Sequence, residues 1–410
     1  MAEPAKIELI TRNRGEPGFQ IHEIQSSQAH FQYRPRRVPQ SSWEIIPQPQ
    51  SLDGSRTFIL KNLQRDRFLL LDAKENFLWE YFDGTHSLEE IARSFHLNFG
   101  AFDYTIIRRL LTKLYGAGLL MEPGAAGLQR SIMTRNDQRP VRVLNKLKKN
   151  WRRLSFRLPN ADLICAILFR RGGFLLFHSI TFWLAIGVAT CAVGPAIQLG
   201  TKAKQFTHIL ATMPLLSTSA IVGALFTASM FHVLVHALAC KAYRRQVREI
   251  GFFLLQGVLP TFYVDVTDIF MSTRRARLIV DLSGPMVEVV LGSVAFIAAY
   301  QGGSGVSQAL LFGIGVLLWE GAFFNLYPFN FLEMDGYNIL ADLLAMPTLR
   351  PQALALVPKL PSRLRSPGTI ERTEWIQIGY LVMCVASALV YLIVHLDALM
   401  ALLPKWQWKL

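Results

Sequence analysis

The chain has 410 residues, 51% hydrophobic and 18% charged, with 43 basic against 29 acidic side chains and a formal net charge of +14. That composition excludes a disordered or collagen-like chain, and the length exceeds the roughly 250 to 300 residues that one hydrophobic core organises. Cys165, Cys191, Cys240 and Cys384 are far apart and mostly inside apolar segments, so they read as small core residues, not as a disulfide framework or thiolate metal site.

Residues 1–56 are rich in Gln, Pro, Ser and Arg, lack sustained periodicity, and are expected to form an irregular tail or wrap. No charged leader precedes an apolar stretch there, so no cleavable secretory signal is expected. Residues 57–123 read as a small folded domain. Short strands are predicted at 57–60 and 68–71, and Phe77, Leu78, Tyr81 and Phe82 share one helical face that ends at Asp83-Gly84. Ser87 and Glu90 form a capping box at the next helix start, because the hydroxyl and the carboxylate satisfy each other's free amides. Ile106, Leu110, Leu111 and Leu114 form the stripe of a further helix closed at Gly116 or Gly118. Strands followed by three helices predict a winged-helix α+β domain.

The segments Phe68-Leu-Leu-Leu-Asp72, Phe82-Asp-Gly84, Ser87-Leu-Glu-Glu-Ile91 and Gly118-Leu-Leu120 resemble the winged-helix peptide-recognition domain of the pyrroloquinoline-quinone biosynthesis family. The resemblance implies binding of leader segments of ribosomally made peptides, with an exposed strand edge able to pair with an added peptide strand. A winged helix used for other protein contacts fits the same residues.

Residues 124–171 form a basic juxtamembrane linker. Lys146, Lys148, Lys149, Arg152, Arg153, Arg157, Arg170 and Arg171 stand just before the first apolar run, interleaved with Trp151, Leu154 and Phe156. That placement points to anionic lipid headgroups between Lys146 and Arg171, not to nucleic acid. Residues 172–410 read as a membrane domain of about five spans, at 172–195, 210–240, 278–300, 309–331 and 375–403. Arginines at 244, 245, 248, 274, 275 and 277, and basic residues between 350 and 372, fill the connections on one side. The positive-inside rule then puts the N-terminal half in the cytoplasm and the C-terminus outside, as in a bacterial inner membrane protein. The fold class expected is mainly α: a multi-span helical membrane domain behind a small winged-helix domain.

Chemistry concentrates in two places. His232 and His236 are four apart on the second span, so both imidazoles share one helix face and can converge on a cation; an interhelical hydrogen-bonded pair has the same spacing. Asn325-Leu-Tyr-Pro328 ends the fourth span, and Glu333-Met-Asp335-Gly336-Tyr337 follows. In the topology above both spans run outside to inside, which brings Asp335 to the depth of the two histidines as a third ligand with one position open. Taken alone, Asp335-Gly336 reads as a helix cap or tight turn.

From His232 to Arg350 the motifs His232 to Ala239, Phe262 to Val266, Arg274 to Leu278, Gly284-Pro285, Asn325 to Pro328 and Asp335-Gly-Tyr337 occur in the order found in site-2 proteases, membrane-embedded zinc metallopeptidases which they resemble. The resemblance extends to a bacterial branch carrying the same winged-helix domain. It implies one zinc ion on His232, His236 and Asp335, a substrate peptide laid near residues 251–266, and a site shaped by Asn325 and Pro328.

The chain departs from that family at two points. Val233 stands where the family's His-Glu-x-x-His motif has its general-base glutamate, and valine neither accepts nor donates a proton. The stretch between Asn325 and Asp335 is also longer, with Asn330 and Phe331 as the extra residues. Glu333 is a weak substitute for the base, while Glu320, Asp281 and Glu288 read as structurally paired carboxylates. Two readings follow: a zinc peptidase of membrane or ribosomally made peptides with its base lost or relocated, or a proteolytically inactive scaffold that binds and presents or retains a peptide or membrane protein.

Overall fold

A computed structural model of the chain describes residues 6–11, 20–25, 32–50, 54, 56–100, 104–121, 155–255, 259–302, 304–330, 334–361 and 371–394. It divides into two compact units, residues 1–50 with 54–140 and residues 51–53 with 141–410.

The first unit opens with an antiparallel hairpin of β1 (Lys6–Thr11) and β2 (Gln20–Gln25). Strands β3 (Trp43–Pro47), β4 (Thr57–Asn62) and β5 (Arg67–Asp72) form an antiparallel sheet in that order. Helices α1 (Ala73–Tyr81), α2 (Leu88–Phe99) and α3 (Tyr104–Ala117) follow. Asp72 caps α1 directly off β5 in a capping box with Glu75, and the Ser87–Glu90 box opens α2 as its spacing predicts. After α3, Gly118 adopts φ +69, and a Cβ there would meet the Arg65 guanidinium at 2.5 Å. Leu60, Leu71, Trp79, Phe82, Phe95 and Leu110 lie in one buried core, so the sheet and all three helices share it.

Residues 1–56 depart from the irregular tail expected of them. Two strands pair as a hairpin, and β3 completes the sheet through its pairing with β4, Ile45 opposite Leu60. Four of the five β3 residues are half-buried, so no alternation marks the strand in the sequence; its partner is non-local. Residues before β3 do wrap irregularly, with Arg37 N donating to Phe82 O at 2.9 Å and Val38 N to Leu119 O at 3.0 Å.

The second unit begins with β6 (Ser155–Arg157) and α4 (Ala161–Arg170), then α5 (Ser179–Gly200), α6 (Ala203–Thr212) and α7 (Pro214–Ala242). A hairpin of β7 (Glu249–Leu255) and β8 (Leu259–Asp265) joins β6 in a sheet of order β6-β7-β8. Helices α8 (Arg274–Gln301), α9 (Gly305–Leu326), α10 (Asp335–Leu344), α11 (Leu349–Leu356) and α12 (Arg372–Val394) complete it.

Among the described residues α5, α7, α8, α9 and α12 are long and apolar enough to cross a bilayer. Their outer faces are apolar too: Trp183 is 67% and Ile197 66% exposed on α5, a surface that lipid covers at no cost and water does not. The fold is mainly α, a membrane protein with small sheets. The first span starts later than its apolar run, because a 3-10 turn at Gly173–Phe177 precedes it and His178 caps α5. The fourth ends at Leu326, earlier than expected: Pro328 has no amide to continue the helix, and the Asn330 side chain donates to Tyr327 O at 3.0 Å.

Most of the expected basic linker, including Lys146, Lys148, Lys149, Arg152 and Arg153, lies outside the described residues. From Ser155 onward the chain is built into the membrane unit. Asp162 on α4 accepts from Lys241 Nζ and, at 2.8 Å, from Val247 N, which ties α4 to the end of α7.

Candidate metal centre

His232 and His236 sit within the last three turns of α7, which begins with Pro214 at its first helical position and runs 29 residues without an interior proline. Both imidazoles turn toward α8. His236 is 6% exposed, and its Nδ1 donates to Val280 O at 2.7 Å, which leaves Nε2 bare in the neutral ring, the tautomer a metal ligand requires. Its Nε2 lies 3.0 Å from His232 Nε2.

Asp335 arrives from a third element. It is the first residue of α10, and Gly336 brings that helix start against the end of α9: a Cβ at 336 would stand 2.1 Å from Leu326 O. Asp335 Oδ2 then lies 3.4 Å from His232 Nε2 and 3.5 Å from His236 Nε2. Burial opposes ionisation of Asp335, but the two imidazoles outweigh it and hold the carboxyl down at about 2. Of the two extra residues before Asp335, Asn330 is taken up in the turn that closes α9, and Phe331 lies outside the described residues.

These distances suit one small ion. A tetrahedral zinc with bonds of about 2.0 to 2.1 Å has ligand-to-ligand edges of roughly 3.3 Å, against 3.0, 3.4 and 3.5 Å here. Room is left by Gly284 on α8, where a Cβ would stand 2.3 Å from His236 Nε2 and 2.5 Å from His232 Nε2. Two imidazoles, which ligate in their neutral form, and one carboxylate, with a cradle that any side chain at 284 would fill, fit a divalent metal.

A second layer surrounds the three. Glu288 Oε1 lies 2.9 Å from His232 Nδ1, off the axis of an aligned hydrogen bond, and Glu288 Oε2 accepts from Asn325 Nδ2 at 3.2 Å. Asn325, expected to shape the site, therefore acts on the carboxylate behind His232. Pro328 lies in the bend between α9 and α10. Val233 is buried beside His232 and brings no polar atom to the site. Glu333 lies outside the described residues. Across the helices, Arg277 Nε donates to both oxygens of Asp342, at 3.0 and 2.8 Å, and fixes α8 against α10. Trp319 Nε1 donates to Val289 O at 3.1 Å and fixes α8 against α9.

Sequence reasoning expected Glu288 to be structurally paired but did not name its neighbours, His232 and Asn325. The signal was present: Asp281, Gly284 and Glu288 follow at steps of three and four, so α8 lays two carboxylates on either side of one glycine along a single face.

The chain is 29% identical over 119 residues to the Bacillus subtilis (strain 168) protein named "Putative peptide zinc metalloprotease protein YydH", a match covering 28% of this chain and 44% of that protein. The match thus spans less than half of that relative's length. No family model matches the chain, and no solved structure matches it.

Proposed function

We propose that this chain is an integral membrane zinc metallopeptidase homologue of the site-2 protease kind, with His232, His236 and Asp335 holding one zinc ion. The observation that carries the reading is the convergence of those three side chains, from α7 and α10, within 3.5 Å of one another. Zinc, when bound, acidifies water and polarises a carbonyl. The protein's own groups do the rest. Val280 O holds His236 in the metal-binding tautomer, Glu288 and Asn325 hold His232, and Asn325 and Pro328 shape the approach. The β7–β8 hairpin receives an extended peptide, supported by β8 standing at a sheet edge.

The substrates are membrane or ribosomally made peptides, and residues 57–123 are a winged-helix domain that recognises their leader segments. The N-terminal half faces the cytoplasm of a bacterial inner membrane, with the basic residues between Lys146 and Arg171 on anionic headgroups. One observation favours the second reading, a proteolytically inactive scaffold that binds and retains a peptide or membrane protein: Val233 stands where a glutamate would move the proton.

The test is zinc content of detergent-purified protein beside folded His232→Ala and Asp335→Ala variants. One zinc per chain, lost in both, is expected; no zinc in the reconstituted native protein would overturn the metallopeptidase reading.

A further inference from the structure

Hydrolysis of a peptide by water at a metal needs a group that takes the water's proton and returns it to the leaving amine. Val233 cannot do this, and Glu288 faces the far nitrogen of His232 and the Asn325 amide. On the face of α8 that carries Gly284, one turn from it in the other direction, stands Asp281.

Its position is bracketed from both sides. Arg277, four residues before Asp281, pairs with Asp342 on α10, while Gly284, three residues after, lies against the imidazoles beside Asp335, seven residues before Asp342. Helices α8 and α10 thus run antiparallel in register, and Asp281 lies between the ion pair and the candidate metal centre. Residues three apart on a helix have Cβ positions about 5 to 6 Å apart. The Cβ position at 284 is 2.3 Å from His236 Nε2, so Asp281 Cβ stands within about 8 Å of the ligand nitrogens. Asp281 is not among the side chains whose ligand atoms converge on the candidate centre, and its carboxylate is within reach of a water between them.

Asp281 is also uncommitted. Arg277 gives its Nε to Asp342 and its Nη1 to Ser272 O at 3.3 Å. A carboxylate in a membrane-crossing helix is expensive to keep without a structural partner, and Asp281 makes no hydrogen bond with the described residues.

We propose that Asp281 is the proton acceptor that replaces the missing glutamate at position 233; this rests on the metallopeptidase reading above. Its carboxylate takes a proton from water as the water oxygen bonds to the scissile carbonyl carbon. The same proton passes to the amide nitrogen as the C–N bond breaks with its electron pair on nitrogen. The products are a carboxylic acid and an amine, and nothing is oxidised or reduced.

The experiment needs no substrate. Cobalt(II) is loaded into the detergent-purified full chain, and cobalt stoichiometry and visible absorption are followed against pH for native protein, Asp281→Asn, Asp281→Glu and the double variant Asp281→Asn with Val233→Glu. Expected is equal cobalt in all four. A spectral transition from a proton shared between carboxylate and water should appear in native and Asp281→Glu, be lost in Asp281→Asn to leave only a water transition near about pH 7, and return in the double variant. Equal cobalt with unchanged titration in Asp281→Asn would overturn the role of Asp281 while leaving the metal reading intact. Loss of cobalt from Asp281→Asn and Asp281→Glu alike would make Asp281 a ligand or scaffold residue and overturn it too. Failure of the native chain to bind cobalt or zinc would overturn the metallopeptidase reading itself.

Discussion

Gly284 approaches His236 so closely that a Cβ at position 284 would stand 2.3 Å from the imidazole Nε2, a distance no carbon and nitrogen without a bond between them can hold. The helix itself would welcome alanine there, by about 1 kcal/mol over glycine. The two effects separate cleanly. Gly284→Ala should retain its helix content and lose bound zinc, read by circular dichroism and metal analysis; full zinc occupancy in the folded variant would show that the ion does not sit between the two nitrogens.

Glu288 Oε1 stands behind His232, 2.9 Å from Nδ1, and the Glu288 carboxylate accepts in turn from Asn325. Partners of this kind orient a ligand and raise its basicity, and losing one typically costs about 10-fold to 100-fold in metal affinity. Glu288→Gln should weaken zinc binding by that factor in a competition titration with a chelator, with Asn325→Ala weaker in the same direction. Unchanged affinity in Glu288→Gln would reduce Glu288 to a buried polar residue.

Val233 occupies the place next to the first histidine. Introducing the carboxylate supplies general-base work worth about 100-fold to 10,000-fold. Val233→Glu should therefore raise zinc-dependent peptide cleavage in detergent by a factor in that range when it is added to Asp281→Asn, in which the carboxylate proposed above is absent. No gain, with zinc bound and the fold intact, would favour the scaffold reading.

The Arg277–Asp342 pair is buried, with Arg277 3% exposed. Removing one partner strands the other charge, which costs about 3 to 5 kcal/mol. Asp342→Ala should lower the thermal midpoint markedly, while the double variant Arg277→Met with Asp342→Leu recovers most of it. Equal melting of native and single variant would mean that water already reaches the pair.

In the first unit, burial opposes ionisation of Asp83, but hydrogen bonds from Thr85, whose amide and hydroxyl both lie at 2.7 Å, and from His86 hold its carboxyl well below the usual carboxylate range. A depressed folded value means that the contribution is present above the unfolded carboxylate pKa of about 3.9 and is lost as pH falls below it. Acidification from pH 6 to pH 3 should lower the melting of the N-terminal unit in native protein and lower it less in Asp83→Asn. The same acid sensitivity in both would place the effect elsewhere.

By itself the sequence determined what local physics controls. Twenty-residue apolar runs can only be satisfied as helices in lipid, a hydroxyl and a carboxylate three residues apart start α2, and histidines four apart share a face wherever the helix goes. The tertiary structure decided everything that depends on partners distant in the chain. β3 carries no alternation and exists because β4 pairs with it; α9 stops at Leu326 because the turn around Asn330 closes it. Asp335 reaches the histidines because Gly336 lets α10 start against Leu326 O. Most of all, the roles of three residues on α8 were not readable from their types: Gly284 opens the space, Glu288 turns to His232, and Asp281 makes no hydrogen bond among the described residues. Periodicity put them on one face, but only packing against α7 and α10 determined what that face meets.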